Sequence, residues 1–170
     1  MSDGGLKLKG RVIEVLGDNI DTDLIYPGRY LNITDREKTA EHLFELAWPE
    51  IRTQLRPGDF IVAAKNFGCG SSREQAAAAL KFAGAGAVIA ASFARIFYRN
   101  AINLGLPAIV APQASVECTA GDELEIDLAA GEIRNLTGNR VVAAAPLDPR
   151  AVELLSAGGL IPYLKRKYAA

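Results

Sequence analysis

From Asp59 onward the chain alternates short, uninterrupted apolar runs with longer segments of helix-forming residues. Phe60–Ala64 (FIVAA), Ala87–Ala91 (AVIAA) and Pro107–Val110 (PAIV) are continuous apolar stretches, the mark of strands covered on both faces. Between them lie Arg73–Phe82 (REQAAAALKF), followed by Gly84, and Phe93–Leu104, followed by Gly105. Strong helix formers closed by a glycine predict two helices with C-caps. The alternation predicts parallel strands with helices packed on them.

Outside this region the pattern changes. Arg11–Leu16 (RVIEVL) predicts a first strand, ended by Gly17-Asp18-Asn19. The segment from Asn19 to Asp35 predicts a loop with a brief extended piece at Leu24–Tyr26. A modest helix is expected over Glu37–Ala47, capped by Thr34 or Asp35 and stopped by Pro49. Glu123–Leu128 (ELEIDL) alternates polar and apolar residues, Gly138–Ala143 does so more loosely, and Gly131 and Asn139 mark turns. Half-exposed antiparallel strands follow from that period. A helix over Arg150–Leu155 and a terminal helical segment, Leu160–Lys167, are separated by Gly158-Gly159. The expected fold class is α/β, with parallel strands and packed helices plus an antiparallel β appendage, in one domain spanning 1–170.

Composition narrows the function. The chain has 170 residues, 49% hydrophobic and 23% charged, with a formal net charge of -1, an ordinary globular balance. The one basic run is Lys165-Arg166-Lys167, so no nucleic-acid partner is expected. No stretch approaches the roughly 20 apolar residues of a membrane span, and the first residues lack an apolar signal region, so a cytoplasmic location is expected. Cys69, Cys118 and His42 are the only cysteines and histidine. A [4Fe–4S] cluster takes roughly three or four thiolates, and a zinc site needs more ligands than these. Any metal chemistry draws its ligands from elsewhere.

The sharpest local feature is Asn66-Phe67-Gly68-Cys69-Gly70-Ser71-Ser72-Arg73-Glu74. It lies between a buried strand and a helix start, where α/β folds place ligand sites. Gly68 and Gly70 permit tight turning and close backbone approach. The first N–H groups of a helix lack internal partners and favour anions, and Arg73 adds a cationic fork suited to a carboxylate. The bland reading is a capping box, Ser72-x-x-Gln75 or Ser71-x-x-Glu74. Both serines cannot fill one cap position, so one hydroxyl is spare. The string is neither a Walker A loop nor a dinucleotide fingerprint, and no nucleophile elbow is present.

GCGSSRE after a buried strand, preceded by DNIDTD and followed by SFARIFYRNAINLGLP, closely resembles the C-terminal swivel domain of the aconitase family. The likeness is strongest to the form encoded separately as the small subunit of 3-isopropylmalate dehydratase and archaeal homoaconitase-type enzymes. It runs from about Gly10 to Lys167 and includes the ending AGGLIPYLKRK.

The resemblance implies a hydro-lyase subunit that isomerises a small hydroxy-acid by dehydration and rehydration. Its first expected reaction interconverts 2-isopropylmalate and 3-isopropylmalate in leucine biosynthesis. It implies a heterodimer with a large subunit whose [4Fe–4S] cluster acts as Lewis acid on the departing hydroxyl, no cofactor being bound by this chain. Ser71 matches the serine that removes the carbon-bound proton, leaving Ser72 as cap and loop support, and Arg73 matches the arginine that holds a substrate carboxylate. Asp21 and Asp23 match the acidic pair of the first loop. Like charges cannot both face a carboxylate, so at least one should hold an arginine or a backbone N–H.

Arg29–Thr34 corresponds to the segment that discriminates substrates. A cation at the position of Asn32 goes with an extra carboxylate, an apolar residue with an isopropyl group. Neutral Asn32 followed by apolar Ile33 departs from both patterns and leans toward the branched apolar substrate, although Arg29 could swing into the pocket. Cys69 is expected to be a small lining residue and not a cluster ligand. Two relatives in chemistry stay open, a homoaconitase and a 2,3-dimethylmalate or methylmalate-type dehydratase. So do two other classes, a non-catalytic small-acid binding module and a self-sufficient hydrolase using Ser71.

Overall fold

The computed structural model describes residues 6–169. Seven strands form one sheet in the order β4-β3-β2-β1-β5-β6-β7. The strands are β1 (Lys7–Leu16), β2 (Phe60–Ala63), β3 (Ala87–Ala90), β4 (Ala108–Val110), β5 (Glu123–Asp127), β6 (Glu132–Asn135) and β7 (Arg140–Ala143). Four are parallel and the last three run antiparallel, as the two hydrophobic periods predict.

β1 joins the halves. Lys7–Arg11 pairs antiparallel with β5, and Val12–Leu16 pairs parallel with β2, with a register irregularity between Val12 and Glu14. The chemistry of the strand changes at the same place. Lys7, Lys9 and Arg11 interleave with smaller or apolar residues, as suits a half-exposed ladder, whereas Val12, Ile13 and Leu16 are buried. Gly10 sits at the crossing. A Cβ there would lie 2.3 Å from the Gly58 carbonyl oxygen, so no larger residue fits.

β2 and β3 are buried at every position. Helix α4 (Glu74–Ala83) follows β2 and α5 (Arg95–Leu104) follows β3. Both end on a left-handed glycine, Gly84 and Gly105, as expected. α2 (Arg36–Ala40) packs on α4, α4 packs on α5, and α5 touches α7 (Pro149–Ala157) and α8 (Leu160–Tyr168). α4 turns three alanines and a leucine, Ala76, Ala77, Ala79 and Leu80, into the core, which lets it approach the sheet closely. Among the described residues, no helix is long and apolar enough to cross a membrane.

Several expected elements differ. The helix expected over Glu37–Ala47 ends at Ala40, and tight turns continue to Ala47. Phe44 takes a left-handed φ of 54° and donates its N–H to the Ile25 carbonyl at 2.9 Å. That conformation costs on the order of 1 kcal/mol, while full burial of the ring is worth about 2–3 kcal/mol, so tertiary packing wins over helix continuation. Pro49 does not merely stop a helix; it opens α3 (Pro49–Gln54) from its first turn. α1 (Thr22–Ile25) replaces the extended piece expected at Leu24–Tyr26. β6, between the Gly131 and Asn139 turns, and α6 (Ala114–Glu117) were not expected. α7 extends beyond Arg150–Leu155 because Asp148 caps it by accepting from the Ala151 N–H at 2.8 Å and Pro149 starts it.

One ion pair fastens β1 to the turn before β2. Arg11 Nη2 donates to Asp59 Oδ2 at 2.8 Å, and the Arg56 N–H donates to the same oxygen at 2.8 Å. Asp59 is buried. Replacing it leaves the Arg56 N–H without its acceptor and loosens the part-exposed Arg11, which still reaches the Gln54 carbonyl. Asp59→Ala should therefore lower stability by about 1–2 kcal/mol, read as a lower urea midpoint at unchanged slope.

Candidate active site

The loops leaving β1, β2 and β3 are stitched side by side at the carboxyl ends of the parallel strands. Gly68 N–H donates to the Ile20 carbonyl at 2.7 Å and Thr22 N–H to the Cys69 carbonyl at 2.8 Å. On the other flank, Phe67 N–H donates to the Ser92 carbonyl at 3.0 Å and Ala94 N–H to the Phe67 carbonyl at 2.9 Å. Isolated parallel bridges, Asp21 to Cys69 and Phe67 to Phe93, record the same pairing. The glycine loop is therefore the middle rung of a short three-chain ladder.

Aromatic packing holds the ladder down. Phe67 is fully buried and its ring meets Phe97 at 5.2 Å and Phe93 at 6.1 Å, both edge to face. Gly68 comes next, at φ 83°. A Cβ there would fall 2.3 Å from Phe97 Cγ, so the position admits glycine alone. Gly70, at φ 90°, turns the chain once more into Ser71.

Beyond that turn, Ser71 and Ser72 are exposed and Arg73 is half-buried. Arg73, in an extended conformation, is the N-cap residue of α4, and no side chain caps the helix. The expected cap role of Ser72, and with it the capping box, is not realised. Arg73 is still extended, so the helix starts one residue later than a Ser72 cap needs. Both hydroxyls stay with the loop and the first N–H groups of α4 stay open. α5 also starts without a side-chain cap, at Arg95. A cavity of about 160 Å³ lies between these two starts, lined among others by Thr22, Gly68, Ser71, Ser72, Arg73 and Arg95. Two open helix N-termini and two guanidinium groups make it a place for an anion. A larger hollow of about 690 Å³ lies on α7 and α8, beside Leu147, Val152 and Tyr163, away from these loops.

Charge repulsion leads one to expect that at least one of Asp21 and Asp23 holds an arginine or a backbone N–H, and in the structure each carboxylate has such a partner. Asp21 Oδ1 accepts from the Leu24 N–H at 2.9 Å and caps α1. Asp23 Oδ1 accepts from Arg73 Nη1 at 2.6 Å and from the Gly28 N–H at 2.8 Å. The Arg73 guanidinium and the Gly28 amide hold the Asp23 carboxyl below the usual carboxylate range. One carboxylate oxygen thus fixes the guanidinium, and Arg73 keeps most of its five N–H donors for a ligand.

The segment Arg29–Thr34 stands differently. Arg29 Nη2 reaches Glu45 Oε2 at 3.1 Å and the guanidinium lies 4.9 Å from the Tyr30 ring centre. Tyr30 stacks on His42 at 3.5 Å, and His42 Nδ1 and the Tyr30 hydroxyl both meet Glu45 Oε1. Burial pushes the Glu45 carboxyl up, but bonds from His42, Tyr30 and Arg29 outweigh it and hold the group low. His42, in the turns that follow α2, is part of this clasp. Asn32 is exposed and Ile33 half-buried, and neither they nor Arg29 line the cavity beside Ser71.

Cys69 is half-buried with its thiol pushed up by burial and by Asp21, and burial pushes the Cys118 thiol up to about 11. Among the described residues no group of three or more His, Cys, Asp or Glu side chains converges as a metal site. The donor set does not fit an iron–sulfur cluster. Sequence reasoning passed over Thr22 and Arg95, although each lay inside a quoted motif, DNIDTD and SFARI.

Residues 20–114, more than half of the chain, match the family model "Aconitase C-terminal domain". The chain belongs to the aconitase C-terminal domain family. It is 55% identical to the 3-isopropylmalate dehydratase small subunit of Moorella thermoacetica over 89% of this chain and 91% of that protein. It is 54% identical to the methanogen homoaconitase small subunit of Methanothermobacter thermautotrophicus, over 93% and 91%. The crystal structure of 3-isopropylmalate dehydratase from Methanocaldococcus jannaschii superposes with a TM-score of 0.89 at 46% identity, covering 96% of each chain. The expected fold and the expected hydro-lyase small-subunit class agree with these matches.

The low-lying Asp23 carboxyl gives a pH test. Its folded pKa is depressed, so its contribution is present above the ordinary value of about 3.9 and is lost as pH falls through the folded pKa. Thermal melts of the native chain and Asp23→Asn should differ near neutrality and converge in acid below the carboxylate range. A gap that persists there would assign the effect to something other than ionisation.

Proposed function

We propose that this chain is the small subunit of a dehydratase that interconverts 2-isopropylmalate and 3-isopropylmalate through a dehydrated intermediate. Ser71 serves as the base and Arg73 as the carboxylate anchor. The observation that carries this is the placing of an uncommitted serine beside an arginine between two open helix starts. A serine hydroxyl is too weakly acidic to act unaided. N–H groups at the start of α4 and the positive charge of Arg73 stabilise the alkoxide.

In the dehydration, Ser71 Oγ takes the proton from the carbon next to the hydroxyl-bearing one. The electron pair of that C–H bond becomes the double bond as the hydroxyl departs. Arg73 holds a substrate carboxylate, and Asp23 keeps the guanidinium from rotating. The return hydration runs the same groups backwards with the hydroxyl on the neighbouring carbon. This chain has no ligand set for the [4Fe–4S] cluster, which is assigned to a large subunit, so the site is complete only in the heterodimer.

The substrate choice rests on Arg29. With its charge held by Glu45 and Tyr30, the segment Arg29–Thr34 offers neutral Asn32 and apolar Ile33, which suits an isopropyl group better than a second carboxylate. The homoaconitase small subunit among the relatives keeps the second reading open, in which Arg29 leaves Glu45 to meet an extra carboxylate. A dimethylmalate or methylmalate-type acid would fit the same apolar end.

The chain should be mixed with its large subunit, anaerobically with iron and sulfide, and turnover of isopropylmalate compared with homocitrate-type and dimethylmalate-type acids. Activity only in the mixture, with isopropylmalate preferred, is expected. Ser71→Ala should cut kcat by about 10²–10⁴-fold with the subunits still associated. Arg29→Ala should leave isopropylmalate turnover within about threefold, a change of less than 1 kcal/mol in the barrier. Activity of the isolated chain would refute the two-subunit reading. A mixture that binds these acids without turning any over would make it a binding module.

A further inference from the structure

We infer that Thr22 is a positioning residue for Ser71, clamping the serine loop from both sides of Gly70. The inference rests on the reading of Ser71 as the base. Thr22 is buried and lies between Asp21 and Asp23, at the first position of α1. It grips the neighbouring loop at two points. Its N–H donates to the Cys69 carbonyl at 2.8 Å, and its Oγ1 donates to the Ser71 carbonyl at 3.0 Å.

The residue between those two carbonyls is Gly70, at φ 90°. A Cβ built on Gly70 would sit 3.4 Å from Asp21 Cβ and 3.6 Å from Thr22 Oγ1, so this segment rides directly over the glycine. A glycine can pivot at little cost, and this one immediately precedes the exposed Ser71. The Thr22 hydroxyl removes that freedom. Threonine is well suited to the task, because branching at Cβ restricts its own rotation. Asp21 contributes by capping α1 and so fixing the direction in which Thr22 points.

A base must lie within hydrogen-bond reach of the proton it takes, and a misplacement of about 1 Å can cost on the order of 100-fold in rate. Loss of the Thr22 hydroxyl leaves the anion-binding arginine and its Asp23 partner in place. The defect should therefore fall on proton abstraction and spare substrate binding.

The test uses the reconstituted two-subunit enzyme with Thr22→Val, Thr22→Ser and Ser71→Ala, and substrate deuterated at the carbon that loses its proton. Thr22→Val should lower kcat by about 10–100-fold with KM within about threefold. It should also enlarge the deuterium isotope effect on kcat. Thr22→Ser, which keeps the hydroxyl, should recover most of the rate and restore the smaller isotope effect. If Thr22→Val does not fold, Thr22→Ala against Thr22→Ser poses the same question.

Unchanged kcat in the variant lacking the hydroxyl overturns the inference. So does a fall in kcat with an unaltered isotope effect that Thr22→Ser fails to reverse, since that is a packing defect. Ser71→Ala with full turnover would remove the base reading itself and with it the role given to Thr22. Ser71→Ala inactive beside a fully active Thr22→Val would sink the positioning role alone.

Discussion

The site depends on backbone pairing that continues after the strands have ended. Residues 20–22, 67–69 and 92–94 exchange main-chain hydrogen bonds across three consecutive loops, so what would be independent flexible segments becomes one stiff rim. The aromatic trio Phe67, Phe93 and Phe97 supplies the weight beneath it. Gly68 permits the contact, because its bare Cα is all that the Phe97 ring leaves room for. Polar groups on the rim can then be exposed and still be held in place, which is the condition a preorganised anion site must meet.

Much of this was legible in the chain, and the reasons are physical. Continuous apolar runs mark β2, β3 and β4 because both faces of those strands are covered, and the alternation in Glu123–Leu128 marks β5 because only one is. Glycines at 84 and 105 announce helix ends because the left-handed C-cap there favours residues without a Cβ. Repulsion between Asp21 and Asp23 was enough to expect an internal partner for at least one of them; that both have one could not be read from charge alone. Ser72 does not cap α4, although a serine before a helix usually does, because the chain is still extended at Arg73. Glu37–Ala47 failed for a different reason. Its helical continuation lost to the burial of Phe44, a tertiary effect with no local signal. Thr22 and the Glu45 clasp were hidden because hydrogen bonds between loops far apart in sequence leave no periodic trace.

Charge in this molecule is arranged in pairs with distinct jobs. Asp23 orients Arg73 toward the cavity, whereas Glu45 draws Arg29 toward Tyr30 and His42. The same residue type is thus presented in one case and withheld in the other. Which guanidinium faces the cavity is thus decided by two acids that do not line it themselves.

β1 carries a consequence for the history of each molecule. Lys7 lies opposite Asp127, while the far end of the same strand lies against β2. A ribosome therefore releases the first strand of the sheet long before it releases one of that strand's two neighbours. The parallel half can assemble early around Val12–Leu16, with Lys7–Arg11 left as an open edge. The sheet closes over that edge only once the C-terminal third has emerged. Lys7, Lys9 and Arg11 then have a second use, since a row of positive charge discourages an unpaired edge from joining another nascent chain in the meantime.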